Sequence, residues 1–245
     1  MKLKIIVPII TKLFEAETEK EVKQFLSPDT EIDVECIPYG SASIESAYDE
    51  AACAPGILHL AEKAQKQGFD GVFIDCMGDP ALAAARERLE IPVVGPGRTS
   101  MLFAADLAHR FSVITVLESV VVLLENLAHE AGVGKKLASI RWVNIPVLEL
   151  GDRDKLMNAL VEESEKALGE DQAHALILGC TGMMGVADEL SAELFRRGYR
   201  IPLIYPVSTA LKYLETLVNL KLTQSKKTYQ IPSNKERNLW ERLGS

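Results

Sequence analysis

A chain of 245 residues, 47% hydrophobic and 25% charged, is long enough to bury a sizeable core in one large domain or in two lobes. Its formal charge of -8 lacks the basic surface that displaces phosphate counterions, which excludes a general nucleic-acid binder. The opening MKLKIIVPII is apolar for only a few residues before Thr11 and Lys12, too short for a signal-peptide core or a membrane span, so the expectation is a cytoplasmic chain with no membrane partner.

In chain order, short β-branched runs alternate with longer helical patterns. KIIV precedes EAETEKEVKQFL, IDVECI precedes PGILHLAEKAQKQ, and GVFID precedes PALAAARERL. The second half repeats the order: FSVITV with ESVVVLLENLAHEA, SIRWVNI with DRDKLMNALVEESEKAL, and ALILG with VADELSAELFRR. Such alternation predicts an α/β fold of two pseudo-symmetric, doubly wound lobes with mostly parallel sheets. GPGRTS at 95–100 reads as a break with a helix cap before SMLFAADLAHR, which places lobe boundaries at 1–97 and 98–206. Residues 207–245 read as a helix, STALKYLETLVNL, returning to the first lobe, then a basic tail with Trp240 as a packing anchor.

An internal echo carries more information than any single element. Residues 69–96 run strand, Cys76, glycine turn, helix, IPVVGP; residues 173–206 run strand, Cys180, glycine turn, helix, IPLIYP. In parallel α/β sheets ligands gather beyond the carboxyl ends of the strands, where both cysteines fall. Asp79-Pro80 reads as a helix start, which sets Cys76 near a positive dipole end that favours thiolate. Gly78 and Gly182 let backbone N–H groups approach a developing oxyanion. Thiolate on one side, thiol on the other and amides around a carbonyl oxygen suit inversion at a carbon next to that carbonyl.

These residues carry a resemblance. The chain resembles the Asp/Glu/hydantoin racemase superfamily, closest to its hydantoin and allantoin racemase branch, along nearly all of residues 1–220. The matching segments are PYGSASIES at 38–46, DCMGDPAL at 75–82, IPVVGP at 91–96, FSVITV at 111–116, LGCTGM at 178–183 and IPLIYPVSTAL at 201–211. The resemblance implies a cofactor-independent racemase that uses no metal, with a small-molecule substrate in a cleft between two lobes. Cys76 and Cys180 would be its acid/base pair. Met77, Gly78, Thr181 and Gly182 would line the substrate, joined by Pro8, Ile9, Tyr39, Gly40, Thr115 and Val116 from the loops after other strands. Amino-acid racemases of the superfamily follow their cysteines with Asn-Thr and Thr-His, whereas this chain has Met77-Gly78 and Thr181-Gly182, a poorer fit to free glutamate or aspartate. Hydantoin-type members carry Asn-Pro-Asn-Thr after the first strand; here Val7-Pro8-Ile9-Ile10 keeps the proline alone.

Other features read more plainly. Cys36 and Cys53 lack a glycine turn and read as structural thiols, and no Cys or His spacing suggests zinc or a disulfide framework. The four histidines share no spacing, and GPGRTS matches no nucleotide fingerprint. The stripe Val120, Leu123, Leu124, Leu127 reads as core or as the interface of a homo-oligomer. The leading expectation is racemisation of a 5-substituted hydantoin or related ureide such as allantoin. The alternatives are an Asp/Glu racemase, an arylmalonate-decarboxylase-like or maleate-isomerase-like enzyme of the same fold, and a two-lobed binding protein without chemistry.

Overall fold

A computed structural model describes residues 1–236, so Trp240 and its expected anchoring role lie outside the described residues. The chain divides into two units, Met1–Gly95 with the segment from Ala210 onward, and Pro96–Thr209. The first unit contains β1 (Lys2–Val7), α1 (Leu13–Lys23), β2 (Glu31–Cys36), α2 (Ala47–Lys66), β3 (Gly71–Ile74), α3 (Leu82–Arg88) and β4 (Val93–Val94). Its strands pair in parallel in the order β2-β1-β3-β4.

The second unit contains α4 (Pro96–Leu107), β5 (Phe111–Thr115), α5 (Val121–Glu130), β6 (Leu137–Trp142), α6 (Arg153–Gly169), β7 (Ala175–Leu178), α7 (Ala187–Arg196) and β8 (Leu203–Ile204). It repeats the same parallel order as β6-β5-β7-β8. The unit boundary falls inside α8 (Pro206–Asn219). Strands β3 and β7 are buried at every position, as befits strands covered by helices on both faces, and so read as continuous apolar runs. The α/β fold of two parallel, doubly wound sheets is therefore the one the alternation implied.

Three local readings change. Helix α2 starts at Ala47, eight residues before the proline taken for its beginning: Ser46 accepts from the Asp49 amide at 3.2 Å and donates to the Asp49 carboxylate at 2.7 Å. Pro55 is thus interior to the helix, lacking one ladder hydrogen bond. Within GPGRTS the units divide between Gly95 and Pro96, and the helix starts earlier than its expected Ser/Thr cap, because Pro96 opens α4 and Gly97 to Ser100 form its first turns. Helix α3 starts only at Leu82, after left-handed residues at Asp79 (φ 53°) and Ala81 (φ 58°). The α5 stripe is mostly internal, with Val120, Leu124 and Leu127 buried and Val122 exposed. Among the described residues no helix is long and apolar enough to cross a membrane.

Candidate active site

The two cysteine segments share the same pair of backbone hydrogen bonds. At the end of β3 the Asp75 amide donates to Ile6 O on the central strand at 2.9 Å, and the Asp79 amide closes a four-residue turn onto Cys76 O at 3.0 Å. At the end of β7 the Gly179 amide donates to Ile114 O at 2.7 Å, and the Met183 amide closes the same turn onto Cys180 O at 3.2 Å. Each cysteine therefore occupies the first position of a β-turn at the carboxyl end of a strand lying next to its unit's central strand.

Exposure separates the four thiols, none of which is in a disulfide. Cys36 and Cys53 are buried, whereas Cys76 and Cys180 are half-buried. Burial, reinforced by the Glu15 carboxylate, pushes the Cys36 thiol up to about 12. Burial likewise raises Cys53, whose sulfur accepts from the Ser41 amide at 3.2 Å. Both are inert packing groups at neutral pH, as a free cysteine in an apolar setting usually is.

In the first unit the remaining predicted residues gather at the same sheet end. Pro8 and Ile9 follow β1 and are buried; Tyr39 and Gly40 follow β2. The two loops are tied by Ile10 N to Ser41 O at 3.0 Å and Thr11 Oγ1 to Ala42 O at 2.8 Å. Gly40, at φ 147°, serves a close approach, since a Cβ there would lie 2.7 Å from Ile37 Cδ1 and 3.0 Å from Cys53 Sγ. Met77 is 3% exposed, so this turn offers its backbone and Gly78 rather than the methionine side chain. In the second unit Thr115 ends β5 and Val116 follows it, and Thr115 Oγ1 donates to Gly179 O at 3.1 Å, next to Cys180. Thr115 is fully buried, so its hydroxyl braces the strand that carries Cys180.

The helix-dipole expectation for Cys76 fails. Asp79 does not cap α3: it closes the turn with a left-handed backbone, and its buried carboxylate packs onto Gly95, where any Cβ would collide with it. The helix itself begins six residues beyond Cys76, past the reach of a terminal dipole.

Sequence reasoning also missed two side chains that shape the turns. Glu50, in the first turn of α2, sets a buried carboxylate oxygen against Gly78, where a Cβ would overlap it. Leu150 packs on Gly182, at 3.2 Å from where a Cβ would stand. Neither belongs to a motif, and Glu50 lies in a helical turn that the sequence pattern left out of α2. Among the described residues no group of three or more His, Cys, Asp or Glu is placed to hold a metal ion.

Comparison with known proteins places this geometry in context. The Asp/Glu/Hydantoin racemase family profile matches residues 5–214. A hydantoin racemase of Pseudomonas sp. (strain NS671) is 39% identical over 238 residues, covering 96% of this chain and 94% of that protein. Allantoin racemase from Klebsiella pneumoniae superposes with a TM-score of 0.88 at 35% identity, over 96% of this chain and 95% of that one. Allantoin racemase from Pseudomonas fluorescens gives 0.89 at 30% identity, over 97% and 99%.

Proposed function

The chain belongs to the Asp/Glu/hydantoin racemase family and is a racemase, and from that premise we propose that it inverts the stereocentre of a 5-substituted hydantoin or a related ureide such as allantoin, with Cys76 and Cys180 as its two acid/base groups. The observation that carries the reading is the pair of half-buried cysteines, each opening the same turn at the end of an equivalent strand. The names of the relatives support the substrate class.

In this reading both turns address one substrate from opposite faces. A thiolate takes the proton from the carbon between ring nitrogen and ring carbonyl, leaving an enolate and a neutral thiol. The other thiol then delivers its proton to the far face of that carbon. The carbon is inverted, one proton has entered and one has left, and thiol and thiolate have exchanged places. The developing enolate oxygen is met by backbone amides of the glycine turns. Pro8, Ile9, Tyr39, Gly40, Met77, Gly78, Thr181 and Gly182 line the substrate, with Thr115 and Val116 supporting the Cys180 turn. A neutral ring suits loops rich in backbone donors. No metal, flavin, nicotinamide or pyridoxal takes part, the thiols work reduced in the cytoplasm, and the chain assembles as a homo-oligomer.

The test follows solvent deuterium at the stereocentre by NMR, and optical rotation in parallel, for single enantiomers of 5-substituted hydantoins, allantoin, glutamate and aspartate, with and without EDTA. Hydantoin or allantoin should exchange and lose rotation together, unaffected by EDTA. Inversion confined to glutamate or aspartate overturns the substrate class; loss with EDTA and recovery with a divalent ion overturns the metal-free mechanism.

A further inference from the structure

Each sheet ends in a two-residue edge strand, β4 in the first unit and β8 in the second. Glu90-Ile91-Pro92-Val93 and Arg200-Ile201-Pro202-Leu203 enter these strands in one register: Val93 lies opposite Val72 and Leu203 opposite Leu176, with Val72 N and Leu176 N donating to Pro92 O and Pro202 O at 2.9 and 3.0 Å. A parallel ladder takes alternate residues of a strand for each neighbour, so residues 91 and 93, and equally 201 and 203, turn backbone groups to the open edge. On β4 the Gln224 carboxamide takes them: its oxygen accepts from Val93 N at 3.2 Å and its nitrogen donates to Ile91 O at 2.9 Å. Lys226 of the same segment stands 3.9 Å from the Glu90 carboxylate. On β8 no side chain among the described residues is bonded to Ile201 or Leu203. Beside them lies a cavity of about 270 Å³ lined by Leu194, Phe195, Tyr199, Arg200, Ile201 and Leu203. Arg200 holds the position of Glu90 with the opposite charge; its guanidinium lies over the Phe195 ring at 5.4 Å and is in no ion pair among the described residues.

We propose that the cavity at the β8 edge is a second small-molecule site, which takes a small acid carrying a terminal carboxamide or ureide. The ligand's amide oxygen accepts from Leu203 N, its NH2 group donates to Ile201 O, and its carboxylate pairs with Arg200. The first unit supplies the template, since Gln224 makes this pair of hydrogen bonds to the equivalent backbone groups of β4. Charge supplies the second requirement. The segment that closes β4 brings a cation to Glu90, so the occupant of β8 brings an anion to Arg200. Leu194 and Phe195 give the apolar wall against which the carbon atoms between the two polar ends rest. Two neutral hydrogen bonds and one solvent-screened ion pair make a weak site, with a dissociation constant on the order of 1 mM.

The experiment is an amide-resolved NMR titration of the full chain with N-carbamoylglycine, acetamide and acetate, in the wild type and in Arg200→Met. N-carbamoylglycine should shift the Leu203 amide saturably. Acetamide should shift the same amide with weaker affinity, and acetate should leave it in place. Arg200→Met should weaken N-carbamoylglycine by about tenfold and leave acetamide unchanged, because the ion pair alone is removed. A Leu203 amide that does not move with N-carbamoylglycine up to its solubility overturns the proposal, and so does an equal response to acetate, which would mean an anion site without amide recognition. An unaltered affinity for N-carbamoylglycine in folded Arg200→Met overturns it as well. The wild-type titration decides even if the variant does not fold. No stereocentre turns over in this measurement, so its failure and the failure of the racemase substrate reading are told apart.

Discussion

At the scale of single residues, four cysteines of one chemistry are sorted by their surroundings. Cys36 and Cys53 are buried with raised thiol pKa values, whereas Cys76 and Cys180 open half-buried turns. Brief alkylation near pH 7.5 should therefore label Cys76 and Cys180 and spare Cys36 and Cys53; peptide mapping that finds Cys36 labelled equally fast would contradict the burial argument. The division of labour in the proposed reaction is checked with Cys76→Ser and Cys180→Ser. Each should lose racemisation by a thousandfold or more, on the order expected for removing a proton-transfer group. Each should nevertheless still exchange deuterium into the one enantiomer that faces the surviving thiol. Two variants that both racemise near the wild-type rate would end the two-base mechanism. The cysteines were legible because each stops an apolar run just before a glycine. Glu50 was not, since it reaches Gly78 from a separate helix and belongs to no spacing pattern.

Among elements, three side chains fasten the C-terminal part of the chain to the rest of the first unit. On α8, buried Glu215 accepts from Ser27 N at 2.8 Å, Ser27 Oγ at 3.2 Å, Thr30 Oγ1 at 2.6 Å and Lys212 Nζ at 2.8 Å. Beyond α8, the Gln224 side chain lies along the edge of β4, accepting from Val93 N at 3.2 Å and donating to Leu89 O and Ile91 O at 2.7 and 2.9 Å. Lys226 caps the carbonyls at the end of α3, at 2.9 Å from Arg86 O and 2.6 Å from Leu89 O. Glu215→Ala should cost about 1.5–3 kcal/mol, since it removes a buried, charged acceptor shared by Ser27 and Thr30. Lys226→Met should cost about 1 kcal/mol. Urea unfolding checks both, and a Glu215→Ala midpoint equal to the wild type would remove the clamp from the account. The parallel βα order was legible because buried strands and amphipathic helices carry different apolar periods. The helix starts were misread where proline pointed the wrong way: Pro55 is interior, Pro96 begins a helix, and Pro80 sits between two left-handed residues. The Pro80 turn depends on a tertiary partner, Gly95, which no local pattern displays, whereas the start of α2 carries a local signal, the Ser46–Asp49 cap, that the proline overshadowed.

For the whole molecule, a chain of net charge -8 depends on carboxylates held ionised by their partners, and its stability should therefore fall on the acid side. Burial pushes Glu35 up, but hydrogen bonds from Lys4 and Lys63 outweigh it and hold its carboxyl below the ordinary glutamate range. Lys4 is a fully buried cation on β1, and it reaches both Glu35 and Asp33 across the register of β2. Glu215 and Asp49 are likewise raised by burial and lowered further by their hydrogen-bond donors, while Asp171 is lowered chiefly by Arg141. A depressed folded-state value means that the unfolded chain binds protons first. The stability these groups lend is thus complete above their unfolded range, about pH 4–5, and drains away as pH falls through the lower folded values. Glu35→Gln leaves Lys4 with Asp33 alone, half exposed, and should cost about 1–2 kcal/mol at pH 7 once solvent screening is allowed for. Because the variant has already lost this proton-linked contribution, it should give up less stability than the wild type between pH 6 and pH 3.5. Urea unfolding across that range decides the matter: acid slopes that run parallel for the two proteins would mean that Glu35 is not among the groups whose protonation unfolds the chain.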